Sequence, residues 1–229
     1  MAAIDGIAFI HGGGHGGWVW SDIRQQMVLP SIAIDLPGWG EGEDVVANIT
    51  LADWVNHAAD EISRQRWKRF MLVGHSLAGI TIPGVAEKLV DQVAHIVYIS
   101  CHVPAEGKSA YDSMPQDTRD LVLQNNIFRI NVLPLGVTGA MLRIHEDKNK
   151  PSPGQPFFSP VSRRAIAHIP STYVRLLEDE IISNDRQLEM IEDMQVTYQI
   201  PVHGHHMAHI SKPDMICGVL STIAALAPD

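Results

Sequence analysis

The chain has 229 residues, 45% of them hydrophobic and 19% charged, which suits one globular domain with a sizeable core and excludes a disordered chain. Its 17 basic side chains against 26 acidic ones give a formal net charge of −9, without the basic footprint that nucleic acid or an anionic membrane would require. Cys101 and Cys217 form neither a metal-type pair nor a disulfide scaffold, in keeping with a reducing compartment.

The opening Met-Ala-Ala-Ile-Asp-Gly lacks a basic stretch followed by an apolar one, so no signal peptide is expected. No apolar run approaches the roughly 18 residues that span a bilayer. A cytoplasmic protein without membrane or nucleic-acid partners is the resulting expectation. From there the pattern is an alternation of strands and helices. Gly6 to Ile10 reads as a strand, followed by a glycine-rich turn from His11 to Gly17. A second strand, Ser31 to Ile34, ends in Asp35-Leu36-Pro37-Gly38. Thr50 opens a helix: Leu51, Trp54, Val55, Ala58 and Ile62 follow helical spacing, and Thr50 with Asp53 has the form of a capping box. Arg69 to Val73 is a strand, Leu77 to Leu89 a helix and Val93 to Ser100 a strand.

From Val103 to Arg164 the alternation breaks, and this stretch reads as a cap inserted over a site. An ordinary helical layer is the alternative. The division is therefore 1–102 and 165–229 for the core and 103–164 for the cap. Thr172 to Leu177 and Val196 to Val202 are the last strands, and Ser211 to Ala225 is a terminal helix with Ser211 and Asp214 at its start. Apolar strands alternating with helices imply an α/β fold: a mostly parallel sheet of about six strands covered by helices on both faces. Sites in such sheets sit where loops leave the carboxyl ends of the strands.

Three motifs fall at such ends. Gly74-His75-Ser76-Leu77-Ala78-Gly79 runs from a strand into a helix, the context in which a tight turn raises a serine hydroxyl above the sheet. Gly74 is small, as the turn requires; Ala78 departs from the commoner glycine by one methyl. His11-Gly12-Gly13-Gly14 supplies backbone free of side-chain obstruction, suited to hold a developing oxyanion with the N–H of Gly13 while the start of the next helix offers that of Leu77. A phosphate-binding turn is the competing reading, disfavoured by the missing lysine and dinucleotide spacing. His203-Gly204-His205-His206-Met207-Ala208-His209, past the last strand, offers the base that a serine nucleophile needs. A metal site is the rival there, but no Cys, Asp or Glu within the cluster completes a ligand pattern. An acid to orient the base should lie between serine and histidine. Asp179 follows a strand directly, with Glu178, Glu180 and Asp185 as competitors.

Together these residues resemble the small α/β hydrolases that include plant methylesterases, hydroxynitrile lyases and related bacterial esterases. The matching stretches are Phe9-Ile10-His11-Gly12 to Trp18, Gly74-His75-Ser76, Ile169 to Val174, Asp179, and His206-Met207 to Ser211-Lys212-Pro213. The resemblance implies an α/β-hydrolase fold and assigns the catalytic roles to Ser76, Asp179 and His206, the oxyanion hole to Gly13 and Leu77, and substrate binding to His11 and Gly12. It implies no cofactor and no metal. Cyanohydrin-cleaving members add a polar side chain after the first histidine or a lysine after the catalytic one; here those positions are Gly12 and Met207, which favours ester hydrolysis. A non-catalytic ligand-binding relative is the alternative from another class. The cap looks shorter than in the family. Met114, Leu121, Leu123, Ile127, Phe128, Ile130, Val132, Leu133, Met141 and Leu142 divide between core and an apolar pocket for a hydrophobic or aromatic ester. The partner expected is that small-molecule ester, with a homodimer left open.

Overall fold

The computed structural model describes residues 4–114, 116, 119, 127–128 and 136–226. Its centre is a sheet of six strands: β1 (Gly6–Ile10), β2 (Ser31–Ile34), β3 (Phe70–His75), β4 (Val93–Ile99), β5 (Ser171–Leu176) and β6 (Tyr198–Val202). They pair in the order β2-β1-β3-β4-β5-β6, and every pairing is parallel. This is the expected α/β architecture, with strand ends displaced by no more than two residues from their sequence positions.

Alternation along the strands divides the core in two. Ile7, Phe9, Met71, Val73, Val97 and Ile99 pack on one face with Trp20, Ile23, Ile216 and Leu220; Ala8, Ile10, Leu72, Ile96 and Tyr98 pack on the other with Trp54, Ala58, Ile62 and Val85. Both faces are covered, so the strands are apolar at consecutive positions, as an interior parallel sheet requires. Helices α1 (Ser21–Gln26) and α6 (Pro213–Leu226) cover the first face; α2 (Leu51–Ser63), α3 (Ala78–Lys88) and α5 (Asn184–Met194) contribute to the second. Another helix, α4 (Gly139–Lys148), and the two-stranded pairing of Ile127–Phe128 with Ser152–Pro153 lie within the stretch read as a cap.

Local chemistry accounts for the helix ends. The Thr50 side chain accepts from the Asp53 N–H at 3.2 Å, and the Asp53 carboxylate accepts from the Thr50 N–H at 2.8 Å, forming the capping box of α2. Helix α5 starts on the Ser183 hydroxyl and stops at Gln195, which takes the left-handed conformation. The terminal helix differs from the sequence reading. α6 begins two residues later, at Pro213, after a separate turn, Ala208–Ser211; Lys212 between them leaves the helical region (φ −137°, ψ 54°), as the residue before a proline is driven to do.

The chain leaves β1 for β2 on one side and returns to β3 on the other. The crevice at that reversal opens at the carboxyl ends of β1 and β3, where His11 and Ser76 stand. Asp179 follows β5 and His206 follows β6, so one edge of the sheet gathers every motif. Among the described residues no helix is long and apolar enough to cross a membrane.

Candidate active site

Ser76 stands immediately after β3 with φ +55°, a left-handed conformation that costs a non-glycine residue energy. The surroundings enforce it. The Ser76 N–H donates to the Ile99 carbonyl at 3.2 Å, and the Ser76 carbonyl accepts from Gly79 at 3.1 Å and His102 at 2.9 Å. Gly74 is required here: a Cβ on it would come within 2.7 Å of the Ala78 Cβ and 2.5 Å of Ile82. The methyl that Ala78 carries is thus accommodated by the absence of one on Gly74.

His206 lies between Ser76 and Asp179. Its Nε2 is 2.9 Å from the Ser76 Oγ and its Nδ1 is 2.7 Å from the Asp179 Oδ2. Both the His206 and the Asp179 side chains are fully buried. Asp179 is saturated with donors. Oδ2 also accepts from the Ser100 hydroxyl at 2.6 Å, and Oδ1 accepts from the N–H groups of Ile181 and Ile182 at 2.8 and 2.9 Å. Burial alone would raise the carboxyl, but hydrogen bonds from His206, Ser100 and Ile182 outweigh it and hold the group below its ordinary value. An ionised Asp179 therefore requires the proton on Nδ1, leaving Nε2 to accept from serine.

The competing acids are elsewhere. Glu178 turns to the surface beside His203 (3.3 Å) and Lys212 (3.9 Å). Glu180 and Asp185 stand in the wall of the cavity. Of the other clustered histidines, His203 is exposed, His205 is half-buried against the Glu178 carbonyl, and His209 is buried between Trp20 and His75. Among the described residues no three His, Cys, Asp or Glu side chains are grouped to hold a metal ion.

The cavity above Ser76 measures about 640 Å³. Gly13, Ser76, Leu77, His102, Met114 and Phe157 line it, together with Glu180, Asp185 and Arg186. Neither the Gly13 nor the Leu77 N–H has a protein acceptor among the described residues. Of the apolar residues expected to divide between core and pocket, Met114 lines the cavity while Met141 and Leu142 pack against the core. Leu121, Leu123, Ile130, Val132 and Leu133 lie outside the described residues.

His11 and Gly12, expected to bind substrate, are not in the cavity wall. The His11 Nε2 accepts from the Leu36 N–H at 3.0 Å, so its Nδ1 carries the proton and donates to the Gly12 carbonyl at 2.8 Å. Burial lowers its pKa to about 4, keeping the ring neutral. Because a peptide unit is planar and trans, holding the Gly12 carbonyl on His11 points the Gly13 N–H the opposite way. His11 thus orients the loop from beneath. A Cβ on Gly12 would come within 2.8 Å of the Ser76 Cβ, so glycine there is a matter of space.

Ser100 and His75 were not anticipated. Ser100, with φ +39° at the end of β4, gives Asp179 a donor. His75 is fully buried and donates from Nε2 to the His206 carbonyl at 2.8 Å, fixing the backbone that carries the base. Their signal in the sequence was position alone: one precedes Ser76, the other ends a strand.

The profile described as the alpha/beta hydrolase family matches residues 7–218. A carbendazim-hydrolyzing esterase of Nocardioides sp. is 28% identical over 111 residues, 47% of this chain and only 46% of that protein. The chain thus spans about half the length of that curated relative. Methylesterase 8 of Arabidopsis thaliana is 22% identical across 94% of this chain and 88% of its own. Among solved structures, an extracellular alpha/beta-hydrolase from a Paenibacillus species superposes with a TM-score of 0.81 at 22% identity, covering 95% of this chain and 98% of that one. Polyneuridine aldehyde esterase follows at 0.79 and 17%, covering 96% and 99%. At these identities the structural likeness is one of fold.

Proposed function

The chain belongs to the alpha/beta hydrolase family, and on that premise we propose that it hydrolyses small carboxylic esters with an apolar or aromatic part through an acyl-enzyme on Ser76. The observation that carries this reading is the hydrogen-bonded series Ser76–His206–Asp179 opening onto a cavity with two unengaged backbone N–H groups.

In the first half-reaction the Ser76 Oγ forms a bond to the ester carbonyl carbon while its proton passes to the His206 Nε2. The carbonyl π pair becomes an oxyanion facing the N–H groups of Gly13 and Leu77, which lie beside Ser76 in the cavity wall. The carbon–oxygen bond to the alcohol then breaks, and His206 returns the proton to the leaving oxygen. Water repeats the sequence on the acyl-enzyme and releases the acid. Throughout, Asp179 remains ionised and stabilises the imidazolium. Leu77, Met114 and Phe157 give the substrate an apolar wall, which supports an apolar or aromatic ester. Names of relatives agree in reaction type, since the Nocardioides and Arabidopsis proteins are called esterases. A cytoplasmic setting belongs to the same proposal, supported by two free, buried cysteines.

Cyanohydrin cleavage needs polar help beside the base. Gly12 has no side chain to give it, and Met207 is an apolar residue buried completely. The test is one preparation assayed on para-nitrophenyl acetate and on mandelonitrile at equal concentration, with fluorophosphonate labelling of Ser76. Ester hydrolysis should dominate. Ser76→Ala should lose labelling, and both it and His206→Ala should lose about 10⁶-fold in turnover. Turnover retained in Ser76→Ala, or cyanide release exceeding ester hydrolysis, overturns the reading.

A further inference from the structure

The oxyanion loop is a run of three glycines, Gly12 to Gly14, and Gly14 has φ +75°. Glycine samples both signs of φ freely, so this stretch has little conformational preference of its own. Bonds from outside the loop must hold it. From beneath, His11 fixes the Gly12–Gly13 peptide. At the far end the Gly17 N–H donates to the Asp35 carboxylate at 2.6 Å.

The intervening bonds come from a distant part of the chain. The Gly14 N–H donates to the Ser152 Oγ at 2.6 Å, and the Gly14 carbonyl accepts from the Lys150 N–H at 2.9 Å. The next side chain, His15, meets His145 of α4 Nε2 to Nε2 at 2.5 Å. Both imidazoles and Ser152 are buried, and burial holds both histidines below their ordinary value, so they meet as one neutral donor and one neutral acceptor. Two weaker contacts reinforce the docking: the Lys148 ammonium lies 5.1 Å from the centre of the Trp18 ring, and the Trp39 N–H reaches the Lys148 carbonyl at 3.4 Å. Three consecutive peptides, those joining Gly12 to His15, are therefore each held by one hydrogen bond, and two of the three bonds come from residues 150 and 152.

We propose that Ser152 and His145 are positioning residues, which seat the 139–153 segment on the glycine loop and thereby set the direction of the Gly13 N–H toward the reacting carbonyl oxygen. This rests on the esterase reading above. Neither side chain belongs to the cavity wall, so neither touches substrate. Their effect passes through the backbone they hold. The 139–153 segment, which contributes no residue to the cavity wall, is then a condition of catalysis, because the oxyanion donor is aligned only while the segment is docked.

The experiment measures kcat and KM for para-nitrophenyl acetate, and inhibition by trifluoroacetophenone, in Ser152→Ala, Ser152→Thr, His145→Leu and His145→Gln. The ketone mimics the tetrahedral state. Ser76 adds to its carbonyl carbon, the serine proton goes to His206, and the carbonyl oxygen becomes the oxyanion. Ser152→Ala and His145→Leu should lose about 10- to 100-fold in kcat with KM little changed, the size of effect that a small misplacement brings. Ketone affinity should fall by a similar factor. Ser152→Thr and His145→Gln, which retain a hydrogen-bonding group, should recover part of both. Wild-type kcat and ketone affinity in either folded truncation overturns the proposal. So does a loss without recovery by the conservative variant, or one appearing in KM and melting temperature alone, which would mark a packing role. Should one truncation fail to fold, the other site decides. Ser76→Ala is run alongside: activity in that variant sinks the esterase reading itself, whereas an inactive Ser76→Ala beside an unaffected Ser152→Ala sinks only this inference.

Discussion

Asp179 accepts four hydrogen bonds, and the identity of its donors decides what a substitution would do. Two backbone N–H groups hold Oδ1, while the Ser100 hydroxyl and His206 share Oδ2. Asparagine preserves the shape but replaces one acceptor with a donor. If its NH2 faces His206, Nδ1 must accept, the ring proton moves to Nε2, and the base can no longer take a proton from Ser76. If the NH2 faces Ile181 and Ile182, donors oppose donors. Asp179→Asn should therefore lower kcat by about 10⁴-fold, as the equivalent change does in other serine hydrolases. Ser100→Ala removes one of the four donors and leaves the tautomer intact, so its loss should be far smaller. Steady-state kinetics on the same ester distinguish the two; comparable losses would show that Ser100 does more than support the carboxylate. The acid could be identified from its place after a strand and from the family resemblance. The place of His11 beneath the loop was not legible, because a sequence does not reveal that both ring nitrogens are committed to backbone groups.

Among the elements, α2 and α3 make a useful contrast. The Thr50–Asp53 cap of α2 lies at the surface and away from the cavity, so Thr50→Ala should cost about 1 kcal/mol in chemical denaturation and leave kcat unchanged. Gly79 lies in the first turn of α3, where a Cβ would be 2.3 Å from the His102 carbonyl. Backbone cannot yield as a flexible side chain does. Gly79→Ala must push α3 away from the segment after β4, and α3 carries the serine turn. It should lose about 1–3 kcal/mol of stability and activity as well. An unchanged kcat there would separate helix seating from serine geometry. These elements were legible because their signals are local: alternation and apolar runs for the strands, spacing and a cap for α2. The break at Lys212 was missed, although Pro213 after it carried the signal. Helices α1 and α5 carry weaker patterns. Leu188, on α5, is left exposed, and the buried side is defined by the packing of Met190 and Ile191 together with a polar residue, Gln187, which bonds the backbone of Leu176 and Ile182. The bonds from Ser152 and His145 to the loop were not legible at all, since they join residues 138 and 130 positions apart.

More than half of the molecule's imidazoles are held neutral by their surroundings. Seven of its twelve histidines, His11, His15, His75, His95, His102, His145 and His209, are held below the ordinary value, in every case chiefly by burial. For His11, His95, His102 and His145 the value falls to about 4. An unfolded chain has no such constraint and binds protons once pH drops through about 6.5. The sign follows from linkage. Above that pH both states leave these rings neutral and stability is full. Between about 6.5 and 4 the unfolded state holds protons that the folded state refuses, so each such ring removes up to about 1.4 kcal/mol per pH unit as pH falls. Below about 4 the four rings protonate in the folded state too and their contribution levels off, while the Asp179 carboxyl begins to protonate in the unfolded chain before it does in the folded one, so the stability its hydrogen bonds supply starts to be lost. The His75 and His209 rings lie 4.2 Å apart at their centres, tilted by 46°, and His15 bonds to His145, so charging one member of either pair opposes charging the other. Loss of structure should accordingly be cooperative, with several protons taken up together. Melting temperature should fall steeply from about pH 7 to 5, and calorimetry in two buffers of different ionisation enthalpy should report an uptake well above one proton per molecule unfolded. A melting temperature flat across that range would mean that these imidazoles reach solvent in the folded protein. The buried histidine layer behind Ser76 would then be open to water.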